Sequence, residues 1–191
     1  GTLAPVNTDS LGWNGFLKGA VQAGGTYYLA TTDAGIFHAD AAAGPFTKAA
    51  DTEDKSLTGI IAVGNEILAV GSEGHLIRGD STNFTITKND DYSFSGALTL
   101  WPHNAPTLLL LGGTRINLHH GYKEIKLDTG ALPGSIEIKE PGEISPSSVD
   151  NKEKYSGSLG IRVVNHLHQV PYGDGTLFAS TQMDGLWSYR N

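Results

Sequence analysis

The chain of 191 residues contains no cysteine. A disulfide framework, a zinc–thiolate site and a thiol nucleophile are therefore excluded. Methionine occurs once, and charged residues make up only 17%. Arginine is confined to Arg78, Arg115, Arg162 and Arg190. With a net charge of −7, the chain has little to offer a phosphate backbone, so no nucleic-acid partner is expected. Long apolar runs are missing too. Stretches such as Leu108 to Leu111 fall far below the roughly 18 residues of a membrane span. No segment sustains an apolar period of about 3.6 residues, which argues against a helical domain.

The chain begins Gly1-Thr2-Leu3-Ala4-Pro5, with neither a basic stretch nor an apolar one of leader type. Its polar chemistry rests on Thr, Ser, Asn, Asp and Gly more than on Lys and Glu. Together with the lack of cysteine, this composition leads us to expect an extracytoplasmic setting: periplasmic, cell-surface or secreted.

Glycine is abundant instead, at 25 residues, roughly twice the share expected from a usual ~7%. Many of these glycines recur in a repeated layout. The first unit pairs Gly15–Val21 with Tyr27–Phe37. The second pairs Gly59–Val63 with Ile67–Leu76. The third pairs Gly96–Leu100 with Thr107–Ile116, and the fourth pairs Gly160–Val164 with Thr176–Trp187. Each reads as strand, turn, strand, tight Gly turn, strand. Pro45–Ala49, Phe84–Lys88 and Glu124–Leu127 read as fourth strands of the first three units. Aligning Ala30 with Ala69 and Gly59 with Gly96 gives spacings of 39 and 37 residues. A unit of about 40 residues with four strands has the period of a propeller blade.

The local chemistry agrees. Gly15, Gly59, Gly96 and Gly160 open the first strands, where a missing Cβ permits close approach of neighbouring sheets. Ala30, Ala69 and Ala179 lie within second strands, where small residues let sheets pack face to face. Asp33-Ala34-Gly35, Glu73-Gly74 and Asp184-Gly185 are turn signals. Ile60-Ile61-Ala62-Val63 is apolar on both faces, as in a strand covered on both sides. The fold expected is all-β: a β-propeller of about four four-stranded blades in one domain over 1–191. Its units span about 11–54, 55–92, 93–155 and 156–191. A polar insertion of about 129–158, marked by Pro133, Pro141 and Pro146, separates the third and fourth units. An ordinary β-sandwich is the competing architecture.

The segments Leu29–Phe37 and Leu177–Trp187 resemble the BNR (Asp-box-like) repeats of sialidase- and sortilin-type β-propellers. They share an apolar-Ala-Ser/Thr strand, an acidic-Gly turn and an aromatic residue in the next strand. The strict Ser-x-Asp-x-Gly-x-Thr-Trp box occurs in no unit. The resemblance therefore implies the fold and says little about activity. The last unit ends after its third strand. Thr2–Val6 is expected to supply its fourth strand, closing the ring as a monomer; otherwise open edges are expected to pair in a homodimer.

Chemistry-bearing residues are scattered. His166-Leu167-His168 has a spacing that places both rings on one face of a strand. His119-His120 follow a strand of the third unit and point to opposite faces. No HExxH motif or diagnostic carboxylate spacing accompanies them, and no metal or cofactor is expected. The acidic residues Asp33, Asp40, Asp51, Asp90, Asp174 and Asp184 sit mostly in turns, where an Asp satisfies its own backbone. Gly112-Gly113-Thr114 reads as a turn between strands, without the Gly-Lys-Ser/Thr of a phosphate loop. Trp187 is expected in the core. Trp13 and Trp101, flanked by Asn and His, offer aromatic faces for sugar stacking or peptide anchoring. The expected function is a non-enzymatic recognition module binding a carbohydrate or protein ligand at one end of the propeller axis. The candidate ligand-binding residues are Trp13, Asn14, Trp101, His103, Asn104, His166 and His168. A glycan-active hydrolase or lyase, and a structural part of a larger propeller or surface complex, are the alternatives.

Overall fold

The computed structural model describes residues 11–88, 90, 92–101, 108–115, 122–126, 164–170, 176–181 and 186–189. The insertion expected over about 129–158 and the closing strand expected at Thr2–Val6 lie outside these residues. Every element of three or more described residues is a β-strand. The first sheet holds β1 (Leu17–Ala23), β2 (Thr26–Thr31), β3 (Ile36–Ala39) and β4 (Thr47–Lys48). The second holds β5 (Leu57–Val63), β6 (Glu66–Gly71), β7 (His75–Gly79) and β8 (Phe84–Lys88). The third holds β9 (Tyr92–Trp101), β10 (Leu108–Arg115) and β11 (Tyr122–Lys126). The fourth holds β12 (Val164–Gln169), β13 (Leu177–Thr181) and β14 (Leu186–Tyr189). Neighbours in sequence are neighbours in each sheet, and every pairing is antiparallel. Among the described residues, no helix is long and apolar enough to cross a membrane.

The sheets follow one another in space as they do in sequence. β1 packs on β5, β5 on β9, and β9 on β12. The first strand of each sheet thus lies against the first strand of the next. Between the first two sheets, Ala23, Tyr28, Ala30 and Ile36 meet Leu57, Ile67, Ala69 and Ile77 in one buried cluster. Between the second and third, Val63, Leu68, Val70 and Leu76 meet Phe94, with Ile61, Leu98 and Leu100 beside them. β6 shows why its sequence is apolar from Ile67 to Val70. Ile67 and Ala69 turn to the first sheet, while Leu68 and Val70 turn to the third. Each such Ile or Leu removed from water contributes about 2 kcal/mol. The ion pairs Lys55–Asp54 and Lys88–Asp90 lie at the surface, where solvent screens them, and they add little.

The register corrects two alignments. Gly19 pairs with Ala30 and Gly59 with Val70, each just past a bulge. The first two units are therefore 40 residues apart, and Gly19, not Gly15, is the counterpart of Gly59. Ala30 is the counterpart of Val70, not of Ala69. Ala30 and Ala69 instead face each other across one interface. A third difference concerns Gly112-Gly113. They lie inside β10, not in a turn, because β9 is long enough to pair with β10 from Leu108 through Arg115 past a bulge. Glu124 and its neighbours consequently form the third strand of their sheet rather than a fourth. The Gly turns of the first two units are as expected, with φ of 72° at Gly35 and 76° at Gly74.

A backbone-to-backbone contact joins the second and third sheets. A Cβ on Gly59 would stand 2.8 Å from the Gly96 Cα and 2.7 Å from its carbonyl oxygen. Both are backbone atoms and cannot swing aside. Beside this contact, the Thr58 hydroxyl lies 3.1 Å from the Val70 carbonyl oxygen in its own sheet and 3.0 Å from that of Phe94 in the next, its one proton shared between them. Gly59→Ala is therefore expected to lower unfolding free energy by about 3 kcal/mol through overpacking. Urea denaturation measures this, and an unchanged midpoint would show that the sheets can separate without cost.

Candidate functional site

Each sheet has a face turned toward the preceding sheet and a face turned toward the following one. In the second sheet the former face is buried at Ile67, Ala69 and Ile77 and half-buried at Ile60 and Ala62. In the first sheet its counterpart is made of Ala20, Gln22, Tyr27, Leu29 and Phe37, as the shared register shows. Its outer part is covered by the chain leading into β1. Trp13 sets its ring edge-on to Phe37 at a centroid distance of 5.3 Å and an angle of 64°. Leu11 and Trp13 pack with Ala34, Phe37, Ala39 and Phe46. The lead-in is pinned by the backbone: Asn14 N–H donates to an Asp33 carboxylate oxygen at 2.8 Å, and Phe16 N–H donates to the Thr32 hydroxyl oxygen at 2.9 Å. Asp33 thus serves the backbone, as a turn aspartate usually does.

The inner part of this face is bare. Ala20 and Gln22 are exposed, Leu17 is 50% exposed and Phe16 is 75% exposed. Between the bare strip and the Trp13 cover runs a groove of about 470 Å³. Trp13, Leu17, Ala20, Tyr27, Leu29 and Phe46 are among its walls. The lining is largely aromatic and aliphatic. Gln22 brings a side-chain amide to the lining.

The structure brings one of the seven expected ligand-binding residues into this groove, Trp13, with Asn14 exposed next to it. His166 and His168 lie on β12 in the fourth sheet, both exposed on the same side of the strand, while Leu167 and Gln169 are buried on the other. The i, i+2 placement on a strand is as expected. Trp101 ends β9, its backbone paired with Leu108. His103 and Asn104 lie outside the described residues. Trp187 pairs with Ala179 in the fourth sheet. Among the described residues, β1 and β12 do not pack on each other as consecutive first strands do, so Trp13 and the histidine pair belong to opposite ends of the stack. Also among these residues, no group of three or more His, Asp or Glu is placed to hold a metal ion. Leu17, Ala20, Tyr27, Leu29 and Phe46 were not singled out as binding residues by sequence. Any signal was indirect: Ala20 and Gln22 stand where Ile60 and Ala62 stand in the second unit.

No family model matches the chain, and no curated protein matches it. Solved structures do. The extracellular domain of BT4673 from B. thetaiotaomicron matches in two structures, named as a one-component system in one and as a hybrid two-component system in the other. The TM-scores are 0.54 and 0.53, and the identities 13% and 14%, over 90% of this chain. The chain spans about 21% of the length of either. At this identity the likeness is one of fold, to propeller-like structures. The N-terminal domain of Nup159 matches at a TM-score of 0.45 and 9% identity, over 92% of this chain and 47% of its own; this is too weak to bear on the reading.

One buried ionisable group lies away from the groove. Among the described histidines only His75 is buried, and its Nδ1 makes no hydrogen bond. Burial disfavours the imidazolium and lowers its pKa below the ordinary value; Lys55 and Lys88 push the same way, against Glu73 and Asp54. The unfolded chain then binds the proton more readily than the folded one. Stability is therefore full above the unfolded value of about 6.5 and falls as pH drops through it. The thermal midpoint of the native chain is expected to fall more between pH 7.5 and pH 5.5 than that of His75→Gln, roughly the span over which an ordinary histidine titrates. Equal falls in the two proteins would remove His75 as the cause.

Proposed function

We propose that the chain is a non-enzymatic, extracytoplasmic recognition module of β-propeller type. Its ligand is a protein or peptide, held on the groove beside Trp13. The observation that carries this is the groove itself: a concave, aromatic and aliphatic surface left bare on an otherwise well-packed sheet. Bare apolar surface of this kind marks interaction sites. A sugar would need several convergent donors and acceptors beside its stacking ring, whereas apolar side chains of a peptide need only the walls present here. The likeness to an extracellular domain supports the setting outside the cytoplasm.

The finer fold reading belongs to the same proposal: BNR-like blades, about four of them, in one domain over 1–191. Trp13 walls the groove, and Asn14, Trp101, His103, Asn104, His166 and His168 are proposed as further contacts from the lead-in and from later sheets and loops.

A random peptide library selected on the immobilised chain should return sequences rich in Leu and aromatic residues. Ala20→Arg puts a charge into the groove from an exposed position. It is expected to weaken the selected peptide at least tenfold, about 1.4 kcal/mol, with the thermal midpoint unchanged. Glycans that bind where no peptide does would overturn the choice of ligand. Peptide affinity indifferent to Ala20→Arg would overturn the choice of site.

A further inference from the structure

The sheets stack by one rule, which strand register makes explicit. Gly19, Gly59 and His166 are counterparts, since each pairs just past a bulge, with Ala30, Val70 and Ser180 respectively. One residue on, Ala20, Ile60 and Leu167 are counterparts and face the preceding sheet. At each junction the following face of one sheet meets the preceding face of the next. The first junction is the cluster of Tyr28 and Ala30 with Ile67 and Ala69, and the second is that of Leu68 and Val70 with Phe94. At the third, β12 packs on β9 and β10, and the Ser95 hydroxyl donates to the Val164 carbonyl oxygen.

Two faces lack such a neighbour among the described residues. One is the preceding face of the first sheet, with exposed Ala20 and Gln22 along the groove. The other is the following face of the fourth sheet, where His166, His168 and Ser188 are exposed and Phe178 is half-buried. We propose that these two faces meet between copies of this chain: the fourth sheet of one copy docks on the first sheet of another. This rests on the reading of the groove as a protein-docking surface. The chain carries both halves of the junction, so a second copy supplies the neighbour that each face lacks among the described residues.

Side-chain sizes match across the proposed contact. Within the chain Ile60 presses on Gly19 so closely that a Cβ there would come within 2.8 Å of the isoleucine Cγ2. A large residue on the preceding face requires a small one opposite. Between copies the sizes are exchanged, with Ala20 small and the His166 that meets it large. At the next position of the same face, Gln22 stands where Ala62 stands in the second sheet, and His168 stands where Val21 stands in the first. An amide then meets an imidazole, and the two can hydrogen-bond. Made reciprocally, the contact closes into a two-fold dimer in which both of these faces are covered.

Sedimentation velocity over a wide concentration range tests the proposal. The native mass is expected to rise from 20.2 kDa toward twice that value. Ala20→Arg and His166→Asp should each weaken self-association at least tenfold. An equimolar mixture of the two variants should associate again, because one junction then holds an Arg–Asp pair and the other is native. Gln22→Lys gives a second variant of the first sheet should Ala20→Arg fail to fold. A native chain that stays at monomer mass overturns the proposal, as does association that neither variant weakens or that the mixture does not restore. A monomer whose peptide binding is still lost in Ala20→Arg would sink the pairing of copies alone. Loss of neither would sink the groove as well.

Discussion

The approach of Gly59 to Gly96 decides how near two sheets of this protein can stand. Nothing larger than hydrogen fits there, so the first strands come together at backbone distance. The rest of each sheet must then fill the wedge that opens outward from them. The side chains grow accordingly: alanines and valines near the inner strands, then Tyr28 set edge-on to Phe84 at 6.5 Å across the interface of the first two sheets. A hydroxyl does the polar part. The single Thr58 hydroxyl proton stands within reach of a carbonyl oxygen in each sheet, which holds the spacing without placing a charge in an apolar seam. Dispersion and burial dominate the stability of such a stack, because interiors packed this tightly gain contacts on every side.

A stack of this kind has no single core. Each seam between sheets is its own core, and a sheet is fully supported only when it has a neighbour on both faces. The second sheet satisfies this condition, and its β6 is buried from Ile67 to Gly71. The first sheet meets it halfway. Its following face is buried at Tyr28, Ala30 and Ile36, while its preceding face changes character from Ile60 and Ala62 to Ala20 and Gln22. That change is partial, since Tyr27, Leu29 and Phe46 keep an apolar lining. A face adapted wholly to water would have lost them.

Much of this is visible in the sequence, for a physical reason. Turn glycines, strands apolar on both faces and a repeat near 40 residues are local or periodic signals, and the sheets follow from them. The register is less visible. Ala30 and Ala69 look like copies of one position because both are small, yet they are small for facing each other across a seam. Gly112-Gly113 looks like a turn, but a glycine pair opposite a bulge can continue a strand, and the length of β9 decides between the two. The groove was the least visible part. Exposure of Ala20 depends on what stands beside the sheet, which no pattern within β1 encodes. That His166 and His168 share a strand face is legible in the sequence, because alternation is local. Which sheet they end on, and that it lies at the far end of the stack from Trp13, are facts of topology.

Trp13 shows how the end of a stack becomes a site. Its ring edge meets Phe37 and so completes the outer part of the first sheet, while the same residue walls the groove. A core role and a binding role are not alternatives for a side chain that has two faces. The lead-in that carries it is fixed by Asp33 and Thr32 through backbone N–H groups, so the ring is held before any partner arrives. A partner then need not order it, and the entropy cost of immobilising a large side chain is already met within the fold. The backbone bonds that hold Asp33 and Thr32 in their turn thus reach the groove through the placement of one tryptophan. This links the local turn chemistry of the repeat to the surface on which its function is proposed to rest.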